Sequence, residues 1–301
     1  MAMTLIEAAK LNSGDVYKAG VLMKYAETSD ILRLLPFESI NGNSLRYNVE
    51  ETLPGVGFRG VNGSYTESTG IINPKVESLT IAGGDLDVDK FIVDTMGADQ
   101  RSVQEGMKIK ALALAWTKTF IKGDSETDLT TFDGLQKRLQ GDAIIANHAS
   151  GAGLSLAKLD EAIDAVDGAN ALLMSKAMRR RLTVAARTSA VGGNISYTID
   201  EFGRQVAMYN DLPIVIVDKD NENNDILGFT ETGSTTSIYV VAFGDGMVSG
   251  LQNGGMDVRD IGELESKPAL RTRIEWYSGF GVFAPRSAAR LKNITDAAVT
   301  A

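Results

Sequence analysis

Residues 55–60, Gly-Val-Gly-Phe-Arg-Gly, have the spacing of the glycine-rich fingerprint that binds a dinucleotide pyrophosphate. That fingerprint needs a preceding strand and a helix that begins at the glycines, because the helix N-terminus holds the phosphates. Residues 61–64, Val-Asn-Gly-Ser, continue a loop instead. We therefore interpret the motif as loop sequence and expect no cofactor site.

Two other patterns resemble catalytic groups. Ser155 and Lys158 have the spacing of a serine–lysine hydrolase motif, but no Ser-Asp-Asn or Lys-Thr-Gly follows, and helix capping explains the serine. His148 is the only histidine, and the chain has no cysteine and no Gly-x-Ser-x-Gly elbow. A histidine-based metal cluster is excluded and a catalytic triad is not expected. We expect His148 to make ordinary loop hydrogen bonds, and we assign no catalytic residue.

Two charged clusters remain. Residues 218–225 resemble a calcium loop but lack its glycine and distal glutamate, so we expect a polar turn, with weak ion binding as the alternative, and assign no metal site. The strongest basic cluster consists of Arg179, Arg180 and Arg181, with Arg187 nearby. A solvated helix face and a subunit contact both fit this cluster, since arginine is enriched at interfaces. Arg179, Arg180 and Arg181 are therefore candidate interface residues.

Composition limits the class of protein. The chain has 301 residues, of which 44% are hydrophobic and 23% charged, enough for one or two compact domains. A net charge of −9 opposes phosphate binding as the main role. The absence of cysteine agrees with assembly in a reducing cytoplasm. Apolar runs such as residues 238–243 are far shorter than the roughly 20 residues of a membrane span, so we expect no membrane association.

The first third of the chain predicts an arm followed by a hairpin. Two short helices are expected at residues 4–11 and 15–25, and a break at Pro36, which indicates an arm more than a core. Alternation over residues 44–50 predicts a half-solvated strand, with its partner at residues 76–81. The glycine-rich segment 53–74 between them is long for a loop in a compact domain, which suits a hairpin that projects onto a neighbour.

A long helix is predicted at residues 99–122, after strands near residues 86–93. Its apolar stripe is expected to run through Val103, Met107, Ala111 and Leu114, and to be widened by four further apolar side chains, Ile109, Leu112, Trp116 and Phe120. At ~1.5 Å per residue this helix would span about 36 Å. Later helices and strands indicate an α+β or α/β lobe. They comprise a helix capped by Ser155, a buried strand at 171–174, a helix carrying the arginines, strands at 212–217, 238–243 and 270–283, and a short terminal helix.

The order of these parts resembles the major capsid proteins of tailed bacteriophages, which have the Hong Kong 97-type fold. The resemblance covers nearly the whole chain. It rests on the helical arm, the glycine-rich hairpin, the long helix with its acidic turn and Phe-Asp-Gly-Leu at 132–135, Asn-Asp-Leu-Pro-Ile-Val at 210–215, Arg-Thr-Arg-Ile-Glu-Trp-Tyr-Ser-Gly at 271–279, and Val-Phe-Ala-Pro at 282–285. The implied fold is α+β, with an arm, an extended β-hairpin loop, a peripheral domain with a long spine helix, and an axial domain.

The resemblance also implies an organisation and a role. The arm would be residues 1–35, the extended loop 36–83, the peripheral domain 84–152 with 262–301, and the axial domain 153–261. Subunits would form pentamers and hexamers of an icosahedral shell. This shell would assemble in the cytoplasm of a bacterial host and enclose double-stranded DNA in the virion without binding it specifically. The protein would not be an enzyme. Phe58 and Arg59 on the loop are further candidate interface residues.

The sequence departs from the founding member of that family in two ways. Residues 51–74 contain no lysine and Lys75 lies at the hairpin base, so a shell without covalent cross-links is expected, held by interlocking loops or a cementing protein. No scaffolding stretch precedes the arm, so the expected partners include a separate scaffolding protein, a portal and a decoration protein. The alternatives are an encapsulin-like compartment, a soluble α/β enzyme or binding protein, and a tail or baseplate protein.

Overall fold

The computed structural model describes residues 29–96, 99–187, 195–199 and 205–300. The helices are α1 (Asp30–Leu34), α2 (Lys90–Met96), α3 (Asp99–Lys122), α4 (Leu135–Arg138), α5 (Leu156–Asp164) and α6 (Lys176–Ala185). The strands are β1 (Phe37–Ser39), β2 (Ser44–Thr52), β3 (Ile71–Ser78), β4 (Thr80–Asp89), β5 (Ile144–Ala146), β6 (Ala171–Met174), β7 (Ile195–Ile199), β8 (Gln205–Tyr209), β9 (Leu212–Ile216), β10 (Thr236–Val241), β11 (Val248–Glu263), β12 (Ala269–Val282) and β13 (Ala288–Ile294). The arm helices predicted at 4–11 and 15–25 lie outside the described residues.

The strands form a four-stranded sheet in the order β1-β11-β12-β4, a seven-stranded sheet in the order β5-β13-β10-β6-β9-β8-β7, and the β2-β3 hairpin. In β12, Thr272, Ile274 and Trp276 are buried, whereas the intervening Arg273 and Glu275 are only partly covered. This alternation gives the four-stranded sheet one apolar face. Helix α3 lies across that face, and Trp116 of α3 donates a hydrogen bond to Ser278 Oγ at 3.1 Å.

The predicted bounds of the long helix α3 are confirmed, and its predicted apolar stripe is confirmed in part. Val103 and Met107 are 56% and 60% exposed, whereas Ile109, Trp116 and Phe120, which were predicted to widen the stripe, are buried. Both sets have helical spacing, so periodicity alone could not choose between them. The side of α3 that carries the aromatic residues faces the sheet, because burying aromatic side chains removes more apolar surface from water.

The turn after α3 is closed by two glycines. Gly134 donates its N–H to Gly123 O at 2.8 Å, and a β-carbon on Gly123 would lie 2.2 Å from Phe132 O. Asp133 Oδ1 accepts hydrogen bonds from the Ser125 N–H and hydroxyl at 2.8 and 2.7 Å. The Phe-Asp-Gly-Leu sequence therefore works as a tight closure that buries Phe132 on the spine helix.

The segment before the hairpin belongs to the core, contrary to the expectation that it behaves as an arm. Ile31, Leu32, Leu35 and Phe37 are at most 2% exposed. The break at Pro36 is confirmed, because α1 ends at Leu34 and the next residue is extended. Strand β1 then pairs in parallel with β11 and places the Phe37 ring 5.9 Å from Trp116 and 5.1 Å from Trp276.

The seven-stranded sheet carries apolar side chains on both faces, since β6 and β10 are buried throughout. Helices α5 and α6 cover one face, and the other face packs against the core that surrounds α3. Strands β5 and β13 belong to this sheet, so it draws on chain from both sides of the segment 153–261. No helix in the described ranges is long and apolar enough to cross a membrane.

Two predicted elements differ from the structure, and one long strand was not predicted. The expected short terminal helix is strand β13, whose pairing with β10 and β5 overrides the helical preference of its alanines. Residues 90–93 belong to α2, which begins where Asp89 Oδ1 accepts a hydrogen bond from the Phe91 N–H at 2.8 Å. The long strand β11 was not predicted, because Gly254 and Gly255, both at positive φ, interrupt its apolar pattern at a bulge.

Candidate assembly interface

The β2-β3 hairpin is the first candidate interface. Its strands pair from Ser44 and Ser78 outward to Thr52 and Ile71, so the irregular tip is residues 53–70. The alternation predicted for β2 is confirmed: Leu45, Tyr47 and Val49 are half-buried, and the residues between them are exposed. The half-buried face lies on the body of the subunit, which leaves the opposite face and the tip in solvent.

The solvent side of the hairpin is unusually apolar. Its large apolar side chains with exposures from 52% to 105% are Leu53, Val56, Phe58, Val61, Tyr65, Ile71, Ile72 and Val76. At roughly 100 Å² for each side chain, these groups expose about 800 Å², which is what one partner contributes to a standard protein interface. Exposed apolar patches of this size mark contact surfaces in soluble proteins.

Local contacts order the tip. Arg59 Nη1 donates to Gly63 O at 3.2 Å, and the guanidinium carbon lies 5.2 Å from the centre of the Tyr65 ring. Ser68 Oγ closes the neck of the tip by donating to Gly55 O at 2.9 Å. Arg59 therefore supports its own loop, and this support holds Phe58 outward at 105% exposure. An intersubunit role for these two residues stays a prediction.

A partly buried polar network attaches the hairpin to the body. Arg138 on α4 donates to Glu77 on β3 through both terminal nitrogens, at 2.5 and 2.7 Å. The Tyr47 hydroxyl donates to Glu77 Oε1 at 3.1 Å. Arg138 also donates from Nε to Asp133 O at 2.6 Å and lies 4.7 Å from the Phe280 ring centre. This latch of Tyr47, Glu77 and Arg138 connects the hairpin to the turn that closes the spine helix.

The electrostatics of the latch favour a neutral tyrosine. Burial raises the pKa of Tyr47 above its usual range, and the nearby Glu77 charge raises it further. The phenol therefore keeps its proton as a hydrogen-bond donor at any physiological pH. The latch could not be predicted from the sequence, because Glu77 and Arg138 are 61 positions apart in the chain and no local pattern indicates that they meet.

The arginine cluster on α6 is only partly free. Arg181 binds Asp296, with Nε 2.7 Å from Oδ1 and Nη2 3.0 Å from the backbone oxygen. Arg179 and Arg180 are exposed, and neither forms an ion pair with any residue in the described part of the chain. These two residues remain the candidate contact groups on this helix.

The acidic turn at 218–225 has a structural role. Asp220 Oδ1 accepts the N–H groups of Glu222 and Asn224 at 2.9 and 2.8 Å, while Asp220 Oδ2 lies 2.9 Å from Lys118 Nζ on α3. Its hydrogen bond from Lys118 lowers the pKa of Asp220. In the described ranges, no group of three or more acidic or histidine side chains is placed to hold a metal ion.

The other sequence motifs have ordinary structural roles. Residues 55–60 lie in irregular backbone with no helix after them, so the dinucleotide interpretation stays rejected. His148 is exposed, with Nδ1 3.3 Å from the Ser150 N–H. Ser155 occupies the N-cap position of α5 as expected, but its hydroxyl caps no N–H in the described structure. Lys158 pairs with Glu161 at 2.5 Å.

No protein-family model matches the chain, and no curated protein matches it by sequence. Solved structures do match over nearly the whole length. The SrpI encapsulin complex from Synechococcus elongatus is 16% identical, with a TM-score of 0.66 over 90% of this chain and 89% of that one. The capsid of the native GTA particle is 16% identical, with a TM-score of 0.64 over 89% and 91%. A structure from Microbacterium phage Oxtober96 is 14% identical, with a TM-score of 0.61 over 90% and 91%. The fold class expected from the sequence is thereby confirmed.

Proposed function

Since this chain has the Hong Kong 97-type capsid fold, we propose that it is the major capsid protein of a tailed phage. It assembles into pentamers and hexamers of an icosahedral shell that encloses double-stranded DNA. Its role is structural rather than catalytic. The net charge of −9 suits such a shell, because an acidic wall encloses DNA without adhering to it.

The observation that carries this proposal is the apolar hairpin. A segment that leaves eight large apolar side chains in solvent gains little from its own subunit. Contact with a neighbour removes that surface from water, so self-association supplies the missing burial. The latch and the ordered tip reduce the conformational entropy lost on contact, because the hairpin is already held in position.

The division into parts extends this proposal. Residues 1–35 form the arm, whose last residues, 31–35, are anchored in the core of the subunit. Residues 36–83 form the extended loop, 84–152 with 262–301 the peripheral domain, and 153–261 the axial domain. A separate scaffolding protein, a portal and a cementing or decoration protein complete the particle in the bacterial cytoplasm. The shell is held without covalent cross-links, since the tip contains no lysine and Lys75 lies on β3.

Electron microscopy of the overexpressed protein tests the proposal. We expect closed particles, or pentamers and hexamers, from the wild-type chain. Replacing residues 55–70 with a short Gly-Ser turn should leave the folded subunit and abolish particles. Leu129→Ser, which removes an equally exposed apolar side chain outside the hairpin, is the matched control and should assemble normally. A uniform monomer from the wild-type chain would reject the shell role.

An encapsulin-like compartment is the second candidate, and the similarity to the Synechococcus elongatus encapsulin favours it. The two functions differ in what the particle encloses. Purified particles from the native source should protect DNA from nuclease if the chain is a phage capsid. A protein cargo in place of nucleic acid would favour the compartment.

A further inference from the structure

An open cleft lies beside the distal end of the hairpin. It has a volume of about 410 Å³. Its walls are Thr52, Leu53, Asp167, Met247, Ala284, Pro285 and Arg286. The cleft therefore lies between the end of β2 and the connection from β12 to β13. Within the subunit, the tip continues past this cleft into solvent.

The chemistry of the cleft favours an apolar guest. Leu53, Met247, Ala284 and Pro285 form most of its wall. Arg286 Nη2 lies 3.3 Å from Asp167 Oδ1 and donates to Asp164 O at 3.0 Å, so the charge of Arg286 is already compensated. An anion would have to compete with this carboxylate, whereas an apolar side chain needs only the wall.

We propose that this cleft receives Phe58 from the hairpin of a second copy of the chain, an inference that rests on the proposed function. Phe58 is fully exposed, and Arg59 holds the loop that presents it. A cavity of about 150 Å³ binds a benzene-sized guest, so the cleft accommodates the ring together with adjoining backbone. Buried aromatic anchors of this kind dominate interface energies.

Continuity of surface identifies the guest as another copy. Leu53 belongs both to the exposed apolar surface of the hairpin and to the wall of the cleft. The surface that needs a partner and the cleft that can accept one are therefore a single patch. Phe58 does not fill its own cleft, since its side chain is 105% exposed. Each copy then offers one anchor and one cleft, which is the head-to-tail contact that closes rings.

Engineered cysteines test this contact directly, because the chain has none of its own. In the Gly57→Cys, Pro285→Cys double variant, Phe58 is kept, and Gly57 has open space for a new side chain. Oxidation of assembled particles should give a ladder of disulfide-linked chains up to pentamers and hexamers. The Gly57→Cys, Leu129→Cys variant should stay monomeric under denaturing conditions. Particles without the ladder, or with a link inside one chain only, would overturn the contact while leaving the shell role intact.

A mutant cycle gives a second measurement for the case in which the cysteine variant assembles poorly. Phe58→Ala removes the anchor, and Ala284→Phe fills the cleft. Each should leave the melting temperature of the unassembled subunit unchanged and raise the concentration needed for assembly by roughly thirtyfold, as for a hot spot. The combined variant should be no worse than either single one, because both changes remove the same contact. Fully additive effects would overturn the proposal, and wild-type chain that never assembles would reject the proposed function instead.

Discussion

Glu77→Gln should loosen the hairpin by breaking the latch. The carboxylate of Glu77 accepts two hydrogen bonds from Arg138, and the two side chains are only 12% and 17% exposed. Removing one partner of a buried ion pair costs about 3–5 kcal/mol, chiefly because the other charge is left unpaired. Some contact with water remains here, and the glutamine oxygen still accepts one bond. We therefore expect a loss of about 2 kcal/mol in the free energy of unfolding.

Urea denaturation of the unassembled subunit measures this loss. Tyr47→Phe is the matched comparison, since it deletes one neutral donor from the same network and should cost about 1 kcal/mol. Arg138→Met combined with Glu77→Gln should cost less than the sum of the single changes, because no unpaired charge remains. The Glu77→Gln subunit should also assemble more slowly, since a hairpin without its latch must be ordered by the neighbour.

Two outcomes would contradict the proposed role of the latch. If Glu77→Gln and Tyr47→Phe cost the same, the charge of Glu77 contributes nothing beyond one hydrogen bond. If the stability of Glu77→Gln falls but its assembly rate does not, the latch holds the subunit together without positioning the hairpin.

Four further outcomes are expected. Arg179→Glu with Arg180→Glu should lower the yield of capsomers while changing the melting temperature of the subunit little. An unchanged hexamer yield would show that α6 forms no subunit contact. Denaturing electrophoresis of mature particles should give single-chain bands, and a covalent ladder would contradict the argument from the lysine-free tip. Hydrogen bonds from Lys137 and Thr127 lower the pKa of Asp124 from 3.8 to about 2. The stability that the Asp124 carboxylate contributes is therefore present above pH 4 and lost as the pH falls towards about 2. Asp124→Asn should flatten that part of the curve of unfolding free energy against pH. Gly134→Ala should sharply destabilise the subunit in thermal melting, because the added β-carbon would lie 2.7 Å from Ile121 O.

Elements that depend on short-range sequence patterns could be predicted from the sequence. The bounds of α3 follow from its periodicity, and the alternation of β2 follows from side-chain spacing along one strand. The order of parts along the chain was enough for the fold class. The prediction of a helix at β13 was wrong because this segment is a strand only through its long-range pairing with β10 and β5.

The sequence by itself determined that a glycine-rich, apolar loop must find its burial outside its own segment, since no pattern within it supplies a core. Only the tertiary structure decided which side of the predicted stripe of α3 faces inward, because Val103 and Ile109 both have helical spacing within it and the sheet selects between them. Only the tertiary structure brought Arg138 to Glu77 and placed the cleft beside Leu53. Contacts between residues distant in sequence depend on chain topology, and a single sequence records local preference far more directly than the closure of long loops.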